Sequence, residues 1–276
     1  MTVWICRACG IEHANTARPP ARCAICTDER QYVPGTGQEW TSAKELAQTH
    51  TGAFAELEPG LFALRVTPSF GIGQRGLLVR THAGNLLWEP PGFVDQQMID
   101  AATDLGGVAA VASSHPHLVG ASITWSRAFE GVPVYYAQAD QRWIRRPDDA
   151  IVLWSGTREI LPGISLVQCG GHFPGSAVLH WADGADGRGV LLVGDTLAVN
   201  PDRRTVSFMR SYPNLVPLPE RLVRQITGAL APLVFDRIYG GFDGPVIDSG
   251  AAEAVSDSAE RYIGWMRDDI RDPDED

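Results

Sequence analysis

From residue 60 onward the chain is a series of short apolar runs broken by turn residues. "GLFALRVTP", "RGLLVRTH" and "NLLWEP" read as strands, and "HAGN" between the last two has the turn chemistry of a hairpin. The spacing then becomes helical. Val94, Met98, Ala102 and Leu105 fall on one face, and Gly106 ends the helix. "VAAVAS" reads as a fully buried strand that runs into the loop "SHPH"; "VPVYY" is a further strand, followed by a short helix around 138–144.

The second half repeats this design. "EILPG", "ISLVQCGG", "SAVLHW", "GVLLVGD", "TVSFM" and "FDRIYGG" read as strands. Two amphipathic helices complete it, one aligning Leu218, Leu222, Ile226 and Leu230, the other Val255, Ala259, Tyr262 and Met266. Strand-rich halves, each closed by helices, predict two sheets packed face to face with helices outside.

The first 38 residues differ in kind. "CRACG" and "CAIC" place Cys6, Cys9, Cys23 and Cys26 as two C-x2-C pairs with thirteen residues between them. Each pair sets two thiolates at a tight bend, and two such bends complete a tetrahedral sulfur site. Disulfides or free thiols are the plainer alternative. The short ribbon-like span makes zinc the default ion, although a rubredoxin-like iron would use the same four thiolates. The site is expected to be structural, because a segment this short with few large apolar side chains needs a metal to fold. "VPGTGQEW" (33–40) reads as a linker. The expected division is a four-cysteine knuckle with its linker over 1–38 and an α/β domain over 39–276.

Composition narrows the class of partner. With 23 Lys and Arg against 33 Asp and Glu, the formal charge is −10, which argues against nucleic acid. No apolar run reaches the ~20 residues of a membrane span, and the N-terminus lacks the apolar core of a signal peptide. A cytoplasmic protein acting on a small molecule is expected, with a homo-oligomer left open.

Candidate ligands collect where strands end: His115 and His117 after "VAAVAS", His172 after "ISLVQCGG" and Asp195 after "GVLLVG". Gly170, Gly171 and Gly194 accompany them and let backbone crowd an ion or substrate. Together they could offer three imidazoles and one carboxylate to a metal that keeps a position for water. Taken singly, each has a bland reading: a satisfied structural histidine, or an aspartate capping a turn. His180 reads as structural, His82 as an exposed turn residue and Cys169 as a small buried side chain.

"SHPH", "GGHFPGS" and "LLVGDT", in that order, resemble the metallo-β-lactamase superfamily over about residues 60 to 245. With the four-cysteine segment and "SFMRSYPN" they resemble a subgroup whose H-x-H-x-D-H motif is degenerate. The resemblance implies an αββα sandwich carrying a small zinc-ribbon or rubredoxin-like knuckle. It also implies a metal held by His115, His117 and His172, with Asp195 as the bridging carboxylate. Three positions depart from the pattern. Val119 stands where the second metal's aspartate is expected, Gly120 where its adjacent histidine is, and Phe242 or Asp243 where the last histidine is. Asp243 is a candidate to return a carboxylate.

The expected activity is therefore metal-dependent hydrolysis at a mononuclear site. Asp195 and His172 are its catalytic candidates, and a small activated ester, thioester or lactone its substrate. The centre would hold Zn2+ or Fe2+. A second reading takes His115, His172 and Asp195 as a two-histidine, one-carboxylate face for Fe(II) and oxygen, similar to the persulfide dioxygenase branch. A third is a non-catalytic binding protein.

Overall fold

The computed structural model describes residues 1–274. A seven-stranded sheet orders its strands Ile151–Trp154, Val134–Ala137, Ala110–Ala112, Gly84–Trp88, Gly76–Thr81, Leu61–Thr67 and Thr51–Glu58. A five-stranded sheet orders Thr157–Leu161, Ile164–Gln168, Ala177–Trp181, Val190–Leu192 and Arg237–Tyr239.

The continuous apolar runs mark strands that bury both faces. Leu61, Ala63, Leu77, Val79, Leu86 and Trp88 point into the layer between the sheets, where they meet Leu166, Leu179, Trp181 and Leu192. The alternate residues Phe62, Leu64, Leu78, Leu87 and Val111 point outward, beneath the helix Gln96–Asp104 and the helix Ser122–Ala128. On the second sheet Val167, Val178 and Leu191 face outward to the helices Glu220–Leu230 and Ala251–Met266. This period-two division between one inner core and two outer ones is the αββα sandwich.

Trp88 and Trp125, both fully buried, are core residues. The "HAGN" hairpin joins Gly76–Thr81 to Gly84–Trp88 as expected. The short helix of 138–144 is a 3-10 turn over Gln138–Trp143.

The N-terminal segment forms its own three-stranded sheet from Thr2–Cys6, Glu12–Thr16 and Trp40–Thr41. The final strand lies at the end of the glycine-rich linker and returns the chain to the first strand through Cys6 and Trp40. Cys6, Cys9, Ile11, Cys23 and Ile25 make a small core, against which Trp40, Trp143 and Val119 pack. Val119 and Trp143 belong to the sandwich, so the knuckle is docked onto it. No helix among the described residues is long and apolar enough to cross a membrane.

Candidate metal centres

Among the described residues, two groups of side chains have the composition and closeness of metal sites: Cys6, Cys9, Cys23 and Cys26, and His115, His117 and His172. None of the four knuckle cysteines forms a disulfide bond in this structure. Cys6 and Cys26 sulfurs lie 3.4 Å apart, and Cys9 and Cys23 sulfurs 3.7 Å apart. Thiolates on one tetrahedral zinc with ~2.3 Å bonds stand roughly 3.8 Å apart, so the set fits such an ion. His13 places Nε2 3.5 Å from the Cys23 sulfur, and its ring stands edge-on to Trp40.

The histidine centre lies where strands of both sheets end. His115 and His117 follow Ala110–Ala112, His172 lies in the loop after Ile164–Gln168, and Asp195 follows Val190–Leu192. The three imidazoles are 3%, 2% and 0% exposed in chain order. Their ring centroids are separated by 4.8 to 6.0 Å. The Nε2 atoms of all three are buried with no hydrogen-bond partner. An orphaned buried nitrogen is costly; three of them converging are the signature of an ion's donor set.

The opposite ring nitrogens of His115 and His172 are occupied. His172 Nδ1 donates to the Met209 carbonyl at 3.1 Å. His115 Nδ1 lies 2.8 Å from the Ser114 hydroxyl, which in turn donates to Glu89. Such contacts fix the tautomer and aim Nε2 at the metal position. Burial, together with the neighbouring imidazoles, holds His115 well below its ordinary pKa and His117 down at about 3; burial alone leads at His172, which falls to about 4. All three are neutral and able to ligate at physiological pH.

Asp195 sits beside two of them, its Oδ2 3.6 Å from His115 Nε2 and 3.9 Å from His172 Nε2. At 18% exposure its side chain is wetter than the histidines, so solvent approaches from this side. Burial raises its carboxyl to about 7.

The three departures have a structural basis. Val119 packs on the knuckle core. Gly120 has φ +45°, and a side chain there would meet the Pro90 carbonyl oxygen at 1.9 Å, so no histidine can occupy it. Asp243 does not return to the centre. Its carboxylate, 57% exposed, is held by Arg65 at 2.7 Å and Arg75 at 3.3 Å.

Four residues outside the expected set shape the site. Glu89, wholly buried behind Ser114, has its carboxyl raised to about 8 by burial and by nearby Asp195. Asp28 of the knuckle places Oδ1 3.8 Å from His117 Nε2. Arg30, two residues on, stacks its guanidinium 3.4 Å from the Phe173 ring centroid and donates to the His172 carbonyl at 2.9 Å. Glu29 pairs with Arg210, and its carbonyl accepts from Asn214 at 2.6 Å. "SFMRSYPN" therefore clasps the knuckle through Arg210, and sets Tyr212 5.9 Å from His172. A charged triplet directly after the second cysteine pair, and a glutamate ending an apolar run in "NLLWEP", were the available signals.

No family model matches the chain. Its backbone is similar to that of DIM-1 metallo-β-lactamase, at 14% identity and TM-score 0.57 over 76% of this chain and 98% of that one. It is likewise similar to the metallo-β-lactamase FIM-1 from Pseudomonas aeruginosa in its mono-zinc form, at 15% identity and TM-score 0.54 over 77% and 96%. The architecture is thus the metallo-β-lactamase fold, here carrying a docked four-cysteine knuckle. At the level of sequence the chain is 41% identical over 273 residues to the uncharacterized protein YmaE of Bacillus subtilis (strain 168), covering 98% of this chain and 99% of that one. The chain belongs to the family of that protein.

Proposed function

We propose that this protein is a metal-dependent hydrolase with one catalytic ion at His115, His117, His172 and Asp195, and a structural zinc in the four-cysteine knuckle. The observation that carries the reading is the convergence of three buried, unpartnered Nε2 atoms, those of His115 and His172 aimed by a contact at the opposite ring nitrogen. A divalent ion in this centre supplies a bound water acidic enough to attack near neutral pH.

The chain's own residues do the rest. The buried imidazoles hold their positions without protonating. With the ion bound, the Asp195 carboxylate on the wetter side would orient the attacking water and take the proton it gives up. Phe173 and Tyr212 keep bulk water from the histidine side. With a single ion, an activated ester, thioester or lactone is a better match than a phosphodiester.

The test measures metal content and turnover on a panel of nitrophenyl esters, thioesters and lactones. Two ions per chain are expected, one lost together with turnover in His115→Ala/His117→Ala. A single ion that disappears only in Cys6→Ser/Cys9→Ser, with no turnover, would sink the proposal and leave a binding protein. One specific observation favours a second reading: Asp195 lies beside His115 and His172, the two-histidine, one-carboxylate face that suits Fe(II). Iron in the histidine centre with oxygen uptake would select it.

A further inference from the structure

The knuckle contributes more than stability. Two of the three orphaned imidazole nitrogens face Asp195, at 3.6 and 3.9 Å. The third, on His117, faces Asp28 at 3.8 Å. Every Nε2 thus has a carboxylate oxygen at nearly the same separation. Donors sharing one ion with bonds of ~2.0–2.1 Å stand roughly 2.9 Å apart at right angles and 3.3–3.4 Å at the tetrahedral angle, and farther at wider angles, so the added ligand goes with a coordination number above four. Asp28 faces this centre at one nitrogen, where Asp195 faces it at two.

Its position is built. Asp28 is 10% exposed, and Arg30 grips it with backbone N to Oδ1 at 3.0 Å, Nε to Oδ1 at 2.6 Å and Nη2 to Oδ2 at 2.7 Å. Arg30 is itself 5% exposed, stacked on Phe173 and bonded to the carbonyl of His172. The arginine therefore ties the carboxylate to the same loop that carries the third histidine. Meanwhile Val119, where the resemblance leads one to expect a carboxylate, is turned into the knuckle core.

We propose that Asp28 is a ligand of the histidine centre, delivered by the four-cysteine knuckle, so that the site is assembled from both parts of the chain. This rests on the reading of the three histidines as a metal centre, and not on the reaction performed there. Arg30, bound to both carboxylate oxygens, balances the added negative charge.

The test is metal binding by the full chain, with Co2+ as the probe and its visible spectrum as the reading of the coordination sphere. Loss of an outer-shell partner weakens metal binding by ~10–100-fold. Asp28→Asn should exceed that at the histidine centre, shift the Co2+ bands assigned by His115→Ala/His117→Ala, and keep the knuckle ion. Asp28→Glu should recover part of the affinity. Arg30→Met keeps the carboxylate and should weaken binding less than Asp28→Asn. Wild-type affinity and spectrum in Asp28→Asn would overturn the assignment, as would equal losses in Asp28→Asn and Arg30→Met, which would make Asp28 an anchor for Arg30. If the wild-type protein binds no ion sensitive to the histidine substitutions, the underlying reading falls with it.

Discussion

The Glu12 carboxylate, on a knuckle strand, accepts a hydrogen bond from the backbone N–H of Ile123 at 2.6 Å. It accepts another from Thr124 N at 3.2 Å and pairs with Arg146. The helix Ser122–Ala128 begins at Ala121, which offers no side chain to its free N–H groups, so the cap comes from another part of the chain. Glu12→Ala removes the cap and leaves Arg146 without its buried partner. A loss of about 2–3 kcal/mol is expected. Urea unfolding followed by circular dichroism measures it, and a loss under about 0.5 kcal/mol would mean that this contact does not hold the knuckle down.

Because the knuckle carries Asp28 to the histidines, emptying the cysteine site should disturb the second one. In Cys6→Ser/Cys9→Ser the four-cysteine ion is lost outright, and the histidine ion should bind more weakly as Asp28 loses its anchorage. Elemental analysis after dialysis against a graded chelator series reads both. Unchanged retention of the histidine ion would show the two centres to be independent.

Stability of the metal-free protein should change little between about pH 4.5 and 6.5 and fall above 6.5. Histidines held below their ordinary pKa contribute stability that is present above 6.5 and is lost as pH falls through the folded values, about 3 for His117 and about 4 for His172. Asp195 and Glu89 work the other way. Their folded values of about 7 and about 8 lie above the ordinary carboxylate range, so their contribution is present in acid and is lost as pH rises through those values. Between about pH 4.5 and 6.5 the two sets largely cancel. From 6.5 to 8 only the carboxyls act, and melting temperature should fall. Glu89→Gln should flatten that alkaline limb in a pH series of thermal melts; an unaltered limb would exclude Glu89 as its source.

The sandwich was legible because strands buried on two faces leave continuous apolar runs, as in "RGLLVRT" and "GVLLVG". The placement of the three histidines and Asp195 just past strand ends was legible because each follows such a run. Asp28 and Glu12 were not, since their partners lie 89 and 111 residues away (28 to 117, and 12 to 123), and nothing local encodes the docking of the knuckle. Asp243 offered the opposite lesson: an acidic residue at the expected place in the chain, diverted by Arg65 and Arg75. The strand Thr51–Glu58 is not legible because its partly buried Phe54 and Leu57 are separated by exposed Ala55 and Glu56, which leaves no apolar run.

Restoring the missing motif should therefore fail to build a second metal site. Val119→Asp would press a carboxylate into the apolar contact with the cysteine knuckle, next to Trp40 and Trp143. Burying a polar group there without a partner costs about 1–3 kcal/mol. Gly120→His is worse, because position 120 has φ +45° and its side chain would collide with the Pro90 carbonyl and the backbone of Pro91. The double variant should bind no additional ion and should be less stable than either parent, or fail to accumulate as folded protein. Val119→Asp alone keeps the prediction measurable: a lowered unfolding midpoint at unchanged metal content is expected. A third ion per chain in a stable Val119→Asp protein would mean that the knuckle yields at this contact and that the second site was never structurally closed.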